Sequence, residues 1–279
     1  MIQPLQKDDA FLRDVESGRH DKSNTLRLWW LGQSGFLLQY RNRHLLFDPY
    51  LSDSLTKKYA DTEKPHVRMT ARVVAPERLG FVDLITSTHN HTDHLDAETV
   101  VPVMRAVHDG RKPALILSAA NEAFARERLR EQVPPLAMVT VDEPAEICDF
   151  EINAVPAAHD QLVVDRQGRH TYLGFVVKAG PWTVYHSGDT VVFDGMVDWL
   201  APHKIDVAIL PINGKVGNMN GADAAKLAKD IGAKLVVPCH YEMFEFNTAD
   251  PRELFVPVCE RLGQAYRVLR AGEKLTLTA

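Results

Sequence analysis

The sequence contains only three cysteines, Cys148, Cys239 and Cys259, and no CxxC pair. An odd set of widely spaced thiols makes no disulfide framework, so a reducing, cytoplasmic location is expected. Cys239, in the apolar run "VVPC", reads as a buried free thiol. No apolar window approaches the length needed to span a bilayer, so no membrane association is expected. The N-terminal stretch "MIQPLQKDDAFLRDVESGRHDKSN" has no basic region followed by an apolar one, which argues against a secretory signal. Runs of Lys and Arg are missing too. With a net charge of −5, nucleic acid is not an expected partner. There is no internal repeat, low-complexity tract or Pro/Gly/Ser linker to divide the chain. Residues 1–24 therefore read as a polar, partly helical lead-in and 25–279 as one domain. The lead-in offers a surface to a neighbouring subunit, so a homo-oligomer is left open.

What is present is alternation. Residues 26–31, 35–40 and 44–48 ("LRLWWL", "GFLLQY", "HLLFD") read as strands, with "RNR" turning between the last two. Trp29 and Trp30 read as sheet-packing core residues. Residues 49–80 have little periodicity, and long irregular segments in compact domains are often functional. Strands are expected at 82–88, 114–119 and 136–141, separated by helices over 97–110, with a Gly stop, and 121–132. A β-rich stretch spans 146–187. Then come helix 193–202, strand 206–212, helix 221–232, strand 234–240, helix 250–263 and short closing strands. The order suggests two sheets face to face with helices outside, although periodicity alone leaves a doubly wound open sheet equally possible.

Polar clusters recur where these strands run out. "LITST" ends in "HNHTDH", "INAVPAA" in His159-Asp160, "WTVYHS" in Gly188-Asp189 and "KLVVPC" in His240. Strand-end loops on a rigid sheet are where reactive groups usually sit. Taken singly, His159 and His240 read as packed or surface histidines, and Asp189 as a turn residue or cap. The spacing His89-x-His91-x-Asp93-His94 after an apolar strand changes that reading. Neutral imidazoles bind borderline divalent metals, and carboxylates add harder, charge-compensating oxygens. Seven metal ligands are therefore expected: His89, His91, Asp93, His94, His159, Asp189 and His240. His89 and His91 would share one ion, Asp93 and His94 would turn toward a second, and Asp189 would bridge. Two ions roughly 3.5–4 Å apart would hold a bridging hydroxide, because bound water has its pKa lowered to about 7. Zinc, manganese and iron all suit a thiolate-free set. His20, His44, His66, His108, His170, His186 and His203 read as structural or surface residues, with His66 and His186 the two to reconsider.

With these residues in view, the sequence resembles the metallo-β-lactamase superfamily, and within it the L-ascorbate-6-phosphate lactonase-like branch. The similar stretches are "LWWLGQSGFLL", "FDPYLSD", "THNHTDHLD", "VYHSGDT", "IDVAILPING" and "KLVVPCHYEMFEFNTADPREL". The resemblance implies an α/β fold, a four-layer αββα sandwich with the metals at one edge between the sheets. It also implies that Asp48 is a carboxylate behind the metal ligands that orients a ligating histidine. The segment "PINGKVGNMNGADAA" departs from the lactonase pattern.

The expected activity is that of a metal-dependent hydrolase opening a small lactone, a sugar or sugar-phosphate lactone, with Asp93 also relaying a proton. Lys215 and Asn218 are the substrate-binding candidates for an anionic or polyhydroxyl small molecule, with Arg68 and Arg72 behind them. One alternative is a phosphodiesterase acting on a nucleotide, phospholipid or RNA. Another is a non-catalytic, metal-binding assembly protein. A β-lactamase proper is disfavoured because no cysteine lies at the metal loops.

Overall fold

A computed structural model describes residues 1–106, 112–130, 136–141 and 143–279. His108, the expected Gly110 helix stop and the last residues of the expected 121–132 helix lie outside the described residues.

The first sheet is built from β1 (Leu26–Gly32), β2 (Gly35–Tyr40), β3 (Arg43–Phe47), β4 (Leu84–Ser87), β5 (Ala114–Ser118) and β6 (Leu136–Val139). The second uses β7 (Ala145–Ile147), β8 (Phe150–Pro156), β9 (Leu173–Ala179), β10 (Trp182–His186), β11 (Val207–Pro211) and β12 (Leu235–Cys239). A closing strand, β13 (Lys274–Leu277), returns to pair with β1. The orders are β13-β1-β2-β3-β4-β5-β6 and β12-β11-β10-β9-β8-β7. Both sheets are mixed: hairpins give antiparallel pairs, and crossovers give the parallel pairs β3/β4, β4/β5, β5/β6, β10/β11 and β11/β12. β2 and β11 are buried along their whole length, as their near-continuous apolar sequences require.

The helices are α1 (Asp8–Ser17), α2 (Ser54–Lys58), α3 (Ala97–Arg105), α4 (Glu122–Leu129), α5 (Met196–Leu200), α6 (Gly221–Asp230) and α7 (Phe255–Leu262). They complete the αββα order of layers. Helix α6 shows how local sequence sets an element. The Asn220 side chain accepts from the Ala222 and Asp223 amides at 2.9 and 3.0 Å, and Ala224, Ala225, Leu227 and Ala228 form its buried face. Two helices start later than their apolar spacing predicts. α5 begins after Gly195, whose left-handed φ of 87° interrupts the helix. α7 begins at Phe255 because Asp250 accepts from the Arg252 amide at 2.9 Å, a local turn that competes with helix.

Phe11 and Val15 of α1 are buried in the same core as the sheets, and Phe11 meets Trp29 edge-on at 6.2 Å. Trp30 points the other way and stacks on Tyr241 at 4.2 Å. The two tryptophans thus serve opposite faces of β1, as strand alternation demands. Among the described residues no helix is long and apolar enough to cross a membrane.

Candidate metal centre

Strand direction determines where the polar clusters meet. β8 and β10 are each antiparallel to β9, so they run the same way, and β10, β11 and β12 are parallel. The C-terminal ends of β8, β10 and β12 therefore share one edge, carrying His159, Asp189 and His240. In the first sheet the parallel ends of β3 and β4 carry Asp48 and the 89–94 loop. The β1/β2 turn, with Gln33, lies at that same edge because β2 is antiparallel to β3.

All seven expected ligands come together there. Ligating atoms of His89, His94 and Asp189 lie within 4.8 Å of one another. The same holds for His91, His159 and Asp189, and for Asp93, His94 and His240. Asp189 belongs to two of the groups, and its Oδ1 is 2.8 Å from His240 Nε2 and 3.1 Å from His94 Nε2. None of these close approaches has hydrogen-bond geometry. His89 Nε2, His94 Nε2, His159 Nε2, His240 Nε2 and Asp189 Oδ1 are all buried with no hydrogen-bond partner among the described residues. Buried polar atoms are seldom left unpaired, because each costs its lost hydration. Five of them aimed at one space fit a cation, and four imidazoles with carboxylates fit a borderline divalent metal.

Two glycines allow the loops to close in. A Cβ on Gly188 would lie 2.6 Å from Thr88, and one on Gly217 2.5 Å from the His159 ring. Both glycines also have left-handed φ, of 62° and 75°. Around the cluster, Gln33, Asp48 and His240 hold the same rarely populated conformation at φ 51°, 36° and 61°. Such strain collects where surrounding structure over-determines a functional geometry.

Asp48 is fully buried and bonded on both oxygens. It accepts from Thr86 Oγ1 and the Thr88 amide, each at 3.1 Å, and from the Thr88 hydroxyl. It also meets His94 Nδ1 at 2.6 Å, which leaves Nε2 of that ring facing the cluster. Gln33 ties the two sheets together: its Nε2 donates to Asp93 Oδ2 at 3.0 Å and lies 3.2 Å from His240 Nδ1.

Burial holds His89 well below the ordinary imidazole pKa and lowers His91 in the same way, so both are neutral ligand forms near pH 7. Burial alone would discharge His94 too, but Asp189, Asp93 and the bond from Asp48 outweigh it and raise its pKa well above the usual value. Burial likewise opposes charge on Asp189, yet His240 and His94 keep it well below the usual carboxylate range. Asp93 is lowered on balance, with burial opposed chiefly by His94. The carboxylates thus demand positive charge at the centre of the cluster, and a bound cation meets that demand.

Three residues of the cluster, His91, Asp93 and Asp189, form the floor of a cavity of about 930 Å³. Of the substrate-binding candidates, Lys215 is on its wall and donates to the Phe246 carbonyl at 3.1 Å. Asn218 is buried beneath His240 instead, with its Nδ2 at 3.4 Å from Nδ1 of that ring and its Oδ1 accepting from the Thr190 amide at 3.1 Å. Arg68 and Arg72 brace the irregular segment from within. Arg68 bonds Asp53 at 2.9 Å and Met243 Sδ at 3.2 Å, and Arg72 bonds the Leu51 carbonyl at 3.4 Å. His66 does line the cavity, stacked on Tyr59 at 4.3 Å. His186 lies outside the cluster, stacked on Phe47 at 5.0 Å with its Nε2 bonded to Ser34. Sequence reasoning missed Gln33. Its one signal was a polar "GQSG" turn between two strands with no exposed face.

A family model described as a beta-lactamase superfamily domain matches residues 27–240, a span that takes in the whole cluster. Fold and site together therefore define a beta-lactamase superfamily protein. A UPF0173 metal-dependent hydrolase from Pyrococcus abyssi is 30% identical over 258 residues, covering 90% of this chain and 100% of the relative. Another, from Aeropyrum pernix, is 30% identical across 88% of this chain and 96% of its own. The chain belongs to the UPF0173 family of metal-dependent hydrolases. Among solved structures, the fold is similar to that of a metallo hydrolase from Ignicoccus hospitalis, with a TM-score of 0.68, 24% identity and coverage of 91% and 99% of the two chains. It is also similar to an isothiocyanate hydrolase from Delia radicum gut bacteria, with a TM-score of 0.69, 23% identity and coverage of 91% and 100%.

Proposed function

We propose that the protein hydrolyses a small carboxylic ester, most simply a lactone, at a dinuclear centre. The supporting observation is the set of four unpaired buried imidazole nitrogens that gather around the equally unpaired Asp189 Oδ1. In this reading His89, His91 and His159 would hold one divalent ion and Asp93, His94 and His240 a second, with Asp189 available to both. Bound divalent ions would supply Lewis acidity for the carbonyl oxygen and lower the pKa of water, so that hydroxide would be available near neutral pH.

The chain's own groups do the rest. Asp48 keeps His94 turned inward, and Gln33 fixes Asp93 against His240. Asp93 faces the cavity as a carboxylate, placed to carry a proton. Asp93 takes one proton from the attacking water as its oxygen adds to the carbonyl carbon, the ring C–O bond breaks, Asp93 passes that proton to the departing alkoxide, and the new carboxyl group releases the second proton to solvent. The products are a carboxylate and a hydroxyl on one molecule. The buried thiols of Cys239 and Cys259, in no disulfide, and the acidic net charge suit a cytoplasmic enzyme acting on small molecules rather than nucleic acid.

Elemental analysis of the purified protein, with a panel of lactones, phosphodiesters and isothiocyanates, tests this reading. About two equivalents of metal and turnover of lactones are expected. Preference for bis(p-nitrophenyl) phosphate would make it a phosphodiesterase. Full metal content with no turnover across the panel would favour a non-catalytic role, and full activity after chelation would end the metal reading.

A further inference from the structure

The cavity above the cluster has walls of a different character from its floor. Its acidic lining groups, Asp93 and Asp189, are both in the cluster. The cationic lining groups stand higher: Lys58, Lys64, Arg128 and Lys215. Arg128 is committed elsewhere, donating to the Asn90 and Leu95 carbonyls at 2.7 and 3.2 Å. Lys58, Lys64 and Lys215 are exposed and have no carboxylate partner among the described residues, so nothing acidic at the cavity cancels them above the cluster. Lys215 donates to the Phe246 carbonyl and Lys58 lies over the Tyr59 ring at 5.0 Å, contacts that leave the charge of each uncancelled, so in a chain of net charge −5 these three exposed ammonium groups create a local positive field.

Between mouth and floor the wall is aromatic. Tyr59 and His66 stack at 4.3 Å with planes 20° apart, and Phe246 meets His66 edge-on at 4.4 Å. Phe244 meets the same ring at 5.1 Å. Phe244 is anchored in a small apolar cluster with Tyr50, Leu55 and Met243, separate from the main core, and Tyr59 and Phe246 pack against that cluster. Burial of the His66 ring lowers its pKa, so at neutral pH it is an uncharged, stackable surface. A sugar ring can lay its C–H face on these rings, but its hydroxyls would lose water and find few partners there, whereas a flat apolar ring carries none to satisfy.

We propose that the substrate is a ring-bearing amphiphilic anion. Its flat apolar body lies against Tyr59, His66 and Phe246, and its carboxylate or phosphate meets Lys58, Lys64 and Lys215. This rests on the hydrolase reading of the floor and narrows it away from polyhydroxyl sugars.

Calorimetric titration of the full chain, metal-loaded and metal-stripped, with three probes tests the proposal. These are 3-phenylpropionate (ring and charge), 3-phenylpropanol (ring alone) and glucose 6-phosphate (charge without a flat ring). Phenylpropionate is expected to bind at least about tenfold more tightly than either of the others in both metal states, a difference of about 1.4 kcal/mol. The triple variant K58A/K64A/K215A should lose that advantage while retaining its metal content, and the matching triple Arg variant should keep it. Phosphate source is read by adding phenyl phosphate: equal preference for it and phenylpropionate supports a mouth that reads charge. Glucose 6-phosphate binding as tightly as phenylpropionate, or unchanged phenylpropionate binding in the triple Ala variant, overturns the proposal and leaves the hydrolase reading intact. Conversely, if no metal binds but the probe order holds in the chain as purified, the floor reading fails, and what survives is an anion-and-ring binding wall, not a substrate assignment.

Discussion

The floor and the wall of the cavity are held by different kinds of structure. The floor is fixed at the ends of sheet strands, and its supporting groups, Asp48 and Gln33, are fully buried with hydrogen bonds reaching into both sheets. The wall comes from the irregular 49–80 segment and the chain after β12, joined in a satellite apolar cluster. A rigid, desolvated floor suits chemistry that needs atoms held closely in place. A separate wall can vary its side chains without disturbing that geometry, which is how one fold serves many substrates.

The sharpest break in this comparison comes from removing the bridge between the two halves of the floor. Asp189→Asn should cost at least about a thousandfold in kcat and lower the metal content, with the fold retained by circular dichroism. Retention of both activity and metal would show that Asp189 is merely structural.

Acid should act on the frame beneath floor and wall alike. His44, on β3, is pushed down to about 4 by burial, with Arg19 repelling the imidazolium, against 6.5 for a free ring. Between those values the unfolded chain binds the extra proton, so stability falls as pH drops from about 6.5 to about 4, by up to about 3 kcal/mol. Urea titrations of His44→Asn should show a correspondingly flatter slope in this window. An unchanged slope would assign the acid sensitivity to other groups.

One layer out, Asp48→Asn should weaken metal binding by about 10–100-fold, read by chelator competition, because His94 loses the charged partner that orients it. The wall should give the smallest effect and a different signature. Phe246→Ala should raise KM by about tenfold and leave kcat nearly unchanged, since the ring contributes binding shared by ground and transition states. A kcat loss equal to that of Asp48→Asn would erase the distinction between floor and wall.

The sandwich and the residues that gather at its edge were legible because strong local patterns encode them. Apolar runs such as "GFLLQY" and "VAILP" mark fully buried strands, and His-x-His-x-Asp-His puts donors at the end of one of them. Helix boundaries at Met196 and Phe255 were less legible, because one glycine conformation and one Asp250 turn overrode the apolar spacing. Beyond the polar "GQSG" turn, nothing local marked the role of Gln33, and nothing marked that of Asn218 beneath the site. Both contact His240, which is 207 residues away from Gln33 in sequence, and Gln33 also holds Asp93.

The order of residue types along the chain was enough to determine which side chains have metal-binding chemistry and that they sit at strand ends, since both follow from short-range pattern. Strand direction in the folded sheets decided that the four ends share one edge, and packing decided which donors stay unpaired there. The aromatic wall is also a product of packing alone: Tyr59, His66 and Phe246 come from stretches without periodicity, and only long-range burial gives them a common face.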